Sequence, residues 1–171
     1  MNTRSRMIVI AIATTFLLYA IYEKHYNITI YILGLIGYFV WSHYREGTVF
    51  LATQAFHKQD YAKTKALLSE IKDPDKLRKR RRNYYEFMMG NIALKEGEVD
   101  EAEYHFQLAS RLPWKRETEK GFVLINLANI NLRKRNFDRV TTYLELAKKL
   151  KLTARQKAIV EKIEQELNRQ T

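Results

Sequence analysis

The chain has no cysteine. That excludes disulfides, thiol nucleophiles and thiolate metal sites, and it suits a reducing compartment. Two prolines and six glycines in 171 residues supply few chain breakers. Long flexible linkers and a Gly-rich phosphate cradle are therefore excluded. Strand-like alternation bounded by hairpin turns is also missing, while Leu, Ala, Lys, Glu and Arg dominate after residue 45. The expected fold class is all-α. The four histidines (His25, His43, His57, His105) stand apart, without His-Glu-x-x-His spacing, and no Gly-x-Ser-x-Gly elbow occurs. No catalytic set, metal site, cofactor or small-molecule ligand is expected, and the chain reads as a non-enzyme. His105 reads as a surface residue. Glu98, Asp100, Glu101 and Glu103 gather at a helix start, where carboxylates complement the helix dipole.

Charge is scarce at the beginning. Residues 1–44 carry only Arg4, Arg6, Glu23 and Lys24 as full charges, and the remainder holds most of the +11 net charge. Met7 to Tyr22 is uncharged, and Tyr26 to Tyr44 lacks Lys, Arg, Asp and Glu. A membrane span needs about 20 mostly apolar residues, so the second run qualifies and the first is short. The expectation is a two-helix transmembrane hairpin over residues 1–44, turning at Glu23-Lys24-His25, with Ala13 opposite Gly37 where small residues permit close approach. Tyr38, Trp41 and Tyr44 form an interfacial aromatic belt. A signal peptide over residues 1–22 is the rival reading, but no small-x-small cleavage site follows. Basic residues flank both outer ends and the turn nets zero. An integral membrane protein of a bacterial inner or cell membrane is expected, with both termini and the repeat domain cytoplasmic.

What is abundant is internal repetition. Small residues recur every 38 positions at Ala52, Gly90 and Ala128. The same step links Leu51, Met89 and Leu127; Tyr61, Val99 and Phe137; Leu68, Phe106 and Leu144; and Ile71, Ala109 and Ala147. A period of this size marks stacked units, each too small to bury its own apolar face. Each unit reads as two antiparallel helices, with Asp60, Glu98 and Asn136 placed to cap the second. Thr153-Ala154-Arg155-Gln156 has the form of a capping box opening a last, solubilising helix over residues 153–169.

The order Met89-Gly90, Gly97 to Ala102, Phe106 and Ala109 resembles the tetratricopeptide (TPR) family, and residues 121–152 and 45–72 repeat it. The resemblance implies a right-handed superhelix of three helix pairs (about 45–82, 83–120 and 121–152) within a domain spanning 45–171. The usual repeat is about 34 residues, so the additional residues fall between units. It also implies a groove lined by the first helices: Phe50, Thr53, His57, Tyr84, Phe87, Asn91, Lys95, Phe122, Ile125, Asn126, Asn129 and Arg133. Asparagine amides there would bond a peptide backbone and the aromatics would anchor it. The competing reading places some of these aromatics in the core between repeats. The family's lysine-and-asparagine clamp is not reproduced, because Val49 and Phe122 stand at its lysine places.

Basic residues concentrate at Lys76, Arg78, Lys79, Arg80, Arg81 and Arg82, with counterparts at Trp114, Lys115 and Arg116 and at Lys148, Lys149 and Lys151. These are read as contacts to anionic lipid headgroups. A solvated charged loop is the plain alternative. The functional expectation is a membrane-anchored adaptor or scaffold that binds a protein partner, peptide or helix, as subunit or assembly factor of a membrane complex. The alternative is a membrane-tethered nucleic-acid-binding protein using the 76–82 run.

Overall fold

The computed structural model describes residues 12, 14–16, 18, 19, 22 and 26–170, apart from the side chains of 26–29 and 39–46. It is all-α, with no strand among the described residues. The helices are α1 (Tyr26–His57), α2 (Tyr61–Ser69), α3 (Lys79–Glu96), α4 (Val99–Arg111), α5 (Glu117–Arg133), α6 (Phe137–Lys148) and α7 (Ala154–Gln170), with a 3-10 turn at Pro74–Lys76. Two compact units divide the chain, Met1–Phe50 and Leu51–Thr171.

In the first unit, Ile30, Tyr31, Leu33, Leu35 and Tyr38 of α1 are exposed, as are Ile12, Phe16, Leu18, Tyr19 and Tyr22. No helix among the described residues is long and apolar enough to cross a membrane. Most of the expected first span, its turn at Glu23–His25 and Ala13 lie outside the described residues. A Cβ placed on Gly34 or Gly37 meets no described atom within 4 Å.

The second unit is a series of helical hairpins, and one backbone device closes each of them. Gln59, Gly97 and Arg135 lie in the left-handed region, with φ of 61°, 83° and 57°. Their spacing is the 38-residue step seen in the side chains. At each, the next residue's N–H reaches back to a carbonyl five positions earlier: Asp60 to Ala55 at 3.0 Å, Glu98 to Ala93 at 2.9 Å and Asn136 to Asn131 at 2.9 Å. The left-handed residue itself donates three positions back, to Phe56, Leu94 and Leu132. This is the Schellman closure, which satisfies carbonyls that a helix end would leave open and reverses the chain in two residues.

Side chains then fill the hairpins as the periodicity requires. Ala52 and Ala128 are fully buried. At Gly90 the partner helix comes so close that an added Cβ would stand 3.0 Å from the Phe106 ring. Phe106, Leu68 and Leu144 are buried column mates, as are Ala109 and Ala147. Burying a ring like Phe106 contributes about 1.5–3 kcal/mol. Leu51 departs from its column: it is exposed, whereas Leu127 is fully buried. Val160 and Ile163 of α7 complete the last cluster, with Leu124, Leu132, Val140 and Leu144. The capping box forms as expected: Gln156 N–H donates to Thr153 Oγ1 (3.2 Å) and Thr153 N–H to Gln156 Oε1 (2.9 Å). Of the three expected N-caps only Asp60 caps with its side chain, accepting from Lys63 N–H at 3.0 Å. Glu98 and Asn136 make no such bond.

A non-glycine residue held left-handed costs on the order of 1 kcal/mol. Arg135→Gly and Gln59→Gly are therefore expected to stabilise the protein by about 0.5–1 kcal/mol each, and Gly97→Ala to destabilise it by about 1 kcal/mol. Thermal unfolding followed by far-ultraviolet circular dichroism checks the opposite signs.

Candidate interaction surface

The residues expected to line a groove divide into two groups. Phe87 lies at the centre of an aromatic cluster, with ring centroids 5.7 Å from Phe56, 6.2 Å from Phe106, 6.0 Å from Trp114 and 5.9 Å from Phe122. Most of these contacts are edge-on, the geometry that the ring quadrupole favours. Tyr84 belongs to the same cluster, 5.4 Å from Trp114, and its hydroxyl donates to Glu119 Oε2 at 2.9 Å. Burial, followed by that carboxylate, pushes the Tyr84 phenol above its ordinary value. Both rings thus join successive hairpins and are not free anchors. Ile125 is a further correction: it is buried in the apolar cluster of the last hairpin. The amide groups of Asn91 and Asn126 are turned onto their own helices, donating to the carbonyls of Phe87 (2.7 Å) and Phe122 (3.0 Å). Lys95 sits 3.7 Å over the Tyr61 ring.

Of the expected groove residues on α5, Phe122, Asn129 and Arg133 stay exposed, with Asn126 half-buried between them. Positions 122, 126, 129 and 133 follow helical spacing and share one face. Phe50, in the first unit, is also exposed.

The expected lipid-contact residues divide similarly. Trp114 is half-buried, its indole N–H donating to the Ala109 carbonyl at 2.9 Å and its ring packed against Tyr84 and Phe87, so it serves the seam between hairpins. Lys76 pairs with Asp73 at 2.7 Å, Arg82 with Asp75 and Glu86, Arg116 with Glu119 at 2.9 Å and Lys148 with Glu164. Lys79, Arg80, Lys115, Lys149 and Lys151 are exposed and form no ion pair among the described residues. Arg81 is half-buried and Arg78 is exposed.

Sequence reading missed the polar groups inside the stack. His105 is buried and not on the surface. Its Nδ1 is 2.7 Å from Glu86 Oε2, and Glu86 is only 2% exposed. The two residues stand 19 apart on facing helices, so no local spacing reveals them. Asn83 and Asn131 are also fully buried. Asn83 donates to the Pro113 carbonyl at 2.6 Å and so ties α3 to the next inter-hairpin loop, and the Oδ1 of each asparagine has no partner among the described residues. Between the second and third hairpins, Glu103 receives Lys134 (2.5 Å), Asn131 (3.1 Å) and Arg139 (3.2 Å). Burial alone would raise the Glu103 carboxyl. The Lys134 ammonium, the Asn131 amide and Arg139 outweigh it and hold the group below the ordinary carboxylate value. Hydrogen bonds to Asp100 and Glu103 hold Lys134 above its ordinary value.

No group of three or more His, Asp or Glu among the described residues is arranged to hold a metal. Comparison with protein-family models, with curated proteins and with solved structures finds no match for this chain.

A depressed carboxylate contributes stability above the unfolded value, near 4.3 for glutamate, and loses it as pH falls through the lower folded value. Glu103→Gln is therefore expected to destabilise the protein by about 1–3 kcal/mol at neutral pH. The deficit should shrink below pH ~4. Urea midpoints of both proteins at neutral and acid pH measure it.

Proposed function

We propose that the chain is a membrane-anchored helical-repeat adaptor, similar in plan to tetratricopeptide proteins. It holds a protein partner at the cytoplasmic face of a membrane, as subunit or assembly factor of a membrane complex. The observation that carries the reading is the row on α5: an exposed ring at Phe122, an exposed amide at Asn129 and a guanidinium at Arg133. An apolar anchor, a backbone-reading amide and a cation on one helix face suit a peptide or helix bearing an apolar side chain and a carboxylate. Anchoring as a hairpin by residues 1–44 is supported by the exposed Ile30, Tyr31, Leu33 and Leu35, which need an apolar cover. Nucleic-acid binding through 76–82 is the weaker reading, because Asp73, Asp75 and Glu86 already neutralise Lys76 and Arg82.

Two experiments on the full-length protein separate the parts. Alkaline carbonate should leave it in the membrane pellet, and release into the supernatant would remove the anchor. A photo-crosslinker at Asn129 should capture a discrete partner, and Phe122→Ala or Arg133→Glu should weaken that capture about tenfold or more without loss of helix. Unchanged capture in both variants would place the partner elsewhere.

A further inference from the structure

The charges of the Leu51–Thr171 unit are sorted between its two edges. The turns inside the hairpins, near residues 59, 97 and 135, form one edge. The connections 70–78, 112–116 and 149–153 link one hairpin to the next helix and come to the other edge. Around the first edge acids and bases are close in number: Lys65 pairs with Glu96, Lys134 with Asp100 and Glu103, and Arg139 with Glu103, while the exposed Lys58, Lys63 and Arg135 are offset by the exposed Asp60, Glu98 and Asp138.

The second edge is unbalanced. Its carboxylates other than the exposed Glu70 are already engaged: Asp73 by Lys76, Asp75 by Arg82, Glu119 by Arg116 and Tyr84, and Glu117 by the Lys151 backbone N–H at 2.8 Å. After these pairings Lys79, Arg80, Lys115, Lys149 and Lys151 remain exposed with no ion pair among the described residues. The surplus comes from the first turn of α3 and from the two later connections, so it is spread along the stack and not confined to one loop. A dispersed row of ammonium and guanidinium groups matches a broad anionic surface better than a single bound ion.

We propose that this edge docks on a bilayer surface rich in anionic phospholipid headgroups. The proposal rests on the reading that residues 1–44 anchor the chain in a membrane. Two observations favour lipid over nucleic acid. Trp114, the aromatic of these connections, is half-buried with its N–H satisfied and its ring engaged edge-on by Tyr84 and Phe87, so no free stacking platform for bases accompanies the charge. The same chain also presents a run of exposed apolar side chains, Ile30 to Leu35, that a bilayer would cover. Basic groups near an anionic leaflet are attracted additively, and the attraction fades within a Debye length. Docking on this edge would leave the hairpin turns and the α5 face turned to other partners.

The cysteine-free chain makes the test direct. Full-length protein carrying Lys115→Cys, or Glu98→Cys on the opposite edge, is placed in nanodiscs of phosphatidylcholine alone or with phosphatidylglycerol, and reaction with a water-soluble maleimide is timed. In anionic discs the cysteine at 115 should react about tenfold more slowly than in neutral discs, and the one at 98 equally in both. The protection should vanish at about 0.5 M salt. It should also vanish when Lys79, Arg80, Lys149 and Lys151 are all changed to Gln. Equal rates at 115 in both lipids, or protection that appears only on adding RNA, overturns the proposal. Should the chain fail to enter nanodiscs, the anchor reading fails separately. The same labelling with anionic vesicles added from outside then decides docking alone: protection at 115 sustains it and no protection ends it.

Discussion

Chain reversal at Gln59, Gly97 and Arg135 governs the rest of the Leu51–Thr171 unit. Each residue adopts a left-handed conformation that lets two backbone bonds close the end of the first helix. The reversal delivers the second helix back onto the first at one fixed point in every hairpin. That point is where Ala52, Gly90 and Ala128 stand, and a larger residue at Gly90 would meet Phe106. Small-residue columns and buried column mates therefore follow from one recurring turn.

Between hairpins the logic changes from apolar filling to polar fastening. Phe56, Phe87 and Trp114 bring aromatic area to the seams. Asn83, Glu103 and Gln156 add bonds that work at one alignment only: to Pro113, to Lys134 and Arg139, and to the Thr118 carbonyl. Apolar contact tolerates sliding, whereas a buried amide or carboxylate displaced from its partner is left unsatisfied. These groups fix the pitch of the stack, and with it which faces of α5 stay open to a partner.

Much of the fold was legible because burial imposes a period. The columns at 68, 106 and 144 and at 109 and 147 announced the hairpins, and Thr153 with Gln156 announced the start of α7. The turns were less legible, since only one of the three left-handed positions, Gly97, is a glycine. The candidate surface was the least legible. An asparagine read alone offers a free amide, yet the carbonyl four residues earlier takes the amides of Asn91 and Asn126. An amphipathic ring such as Trp114 suits a headgroup layer and a protein seam equally well, and only its partners Tyr84 and Phe87 distinguish them. His105 and Glu86 meet across a hairpin, where no local pattern can show it.

The seal that α7 provides bears on how the polypeptide is made. Leu124, Leu132, Val140 and Leu144 are covered only when Val160 and Ile163 arrive from the last helix. On a ribosome the middle hairpin can close as soon as residue 111 has emerged. The third must wait with a bare apolar flank until α7 clears the exit tunnel. During that interval the nascent chain shows apolar surface to its surroundings, and a product ending between residues 149 and 160 would keep that flank bare.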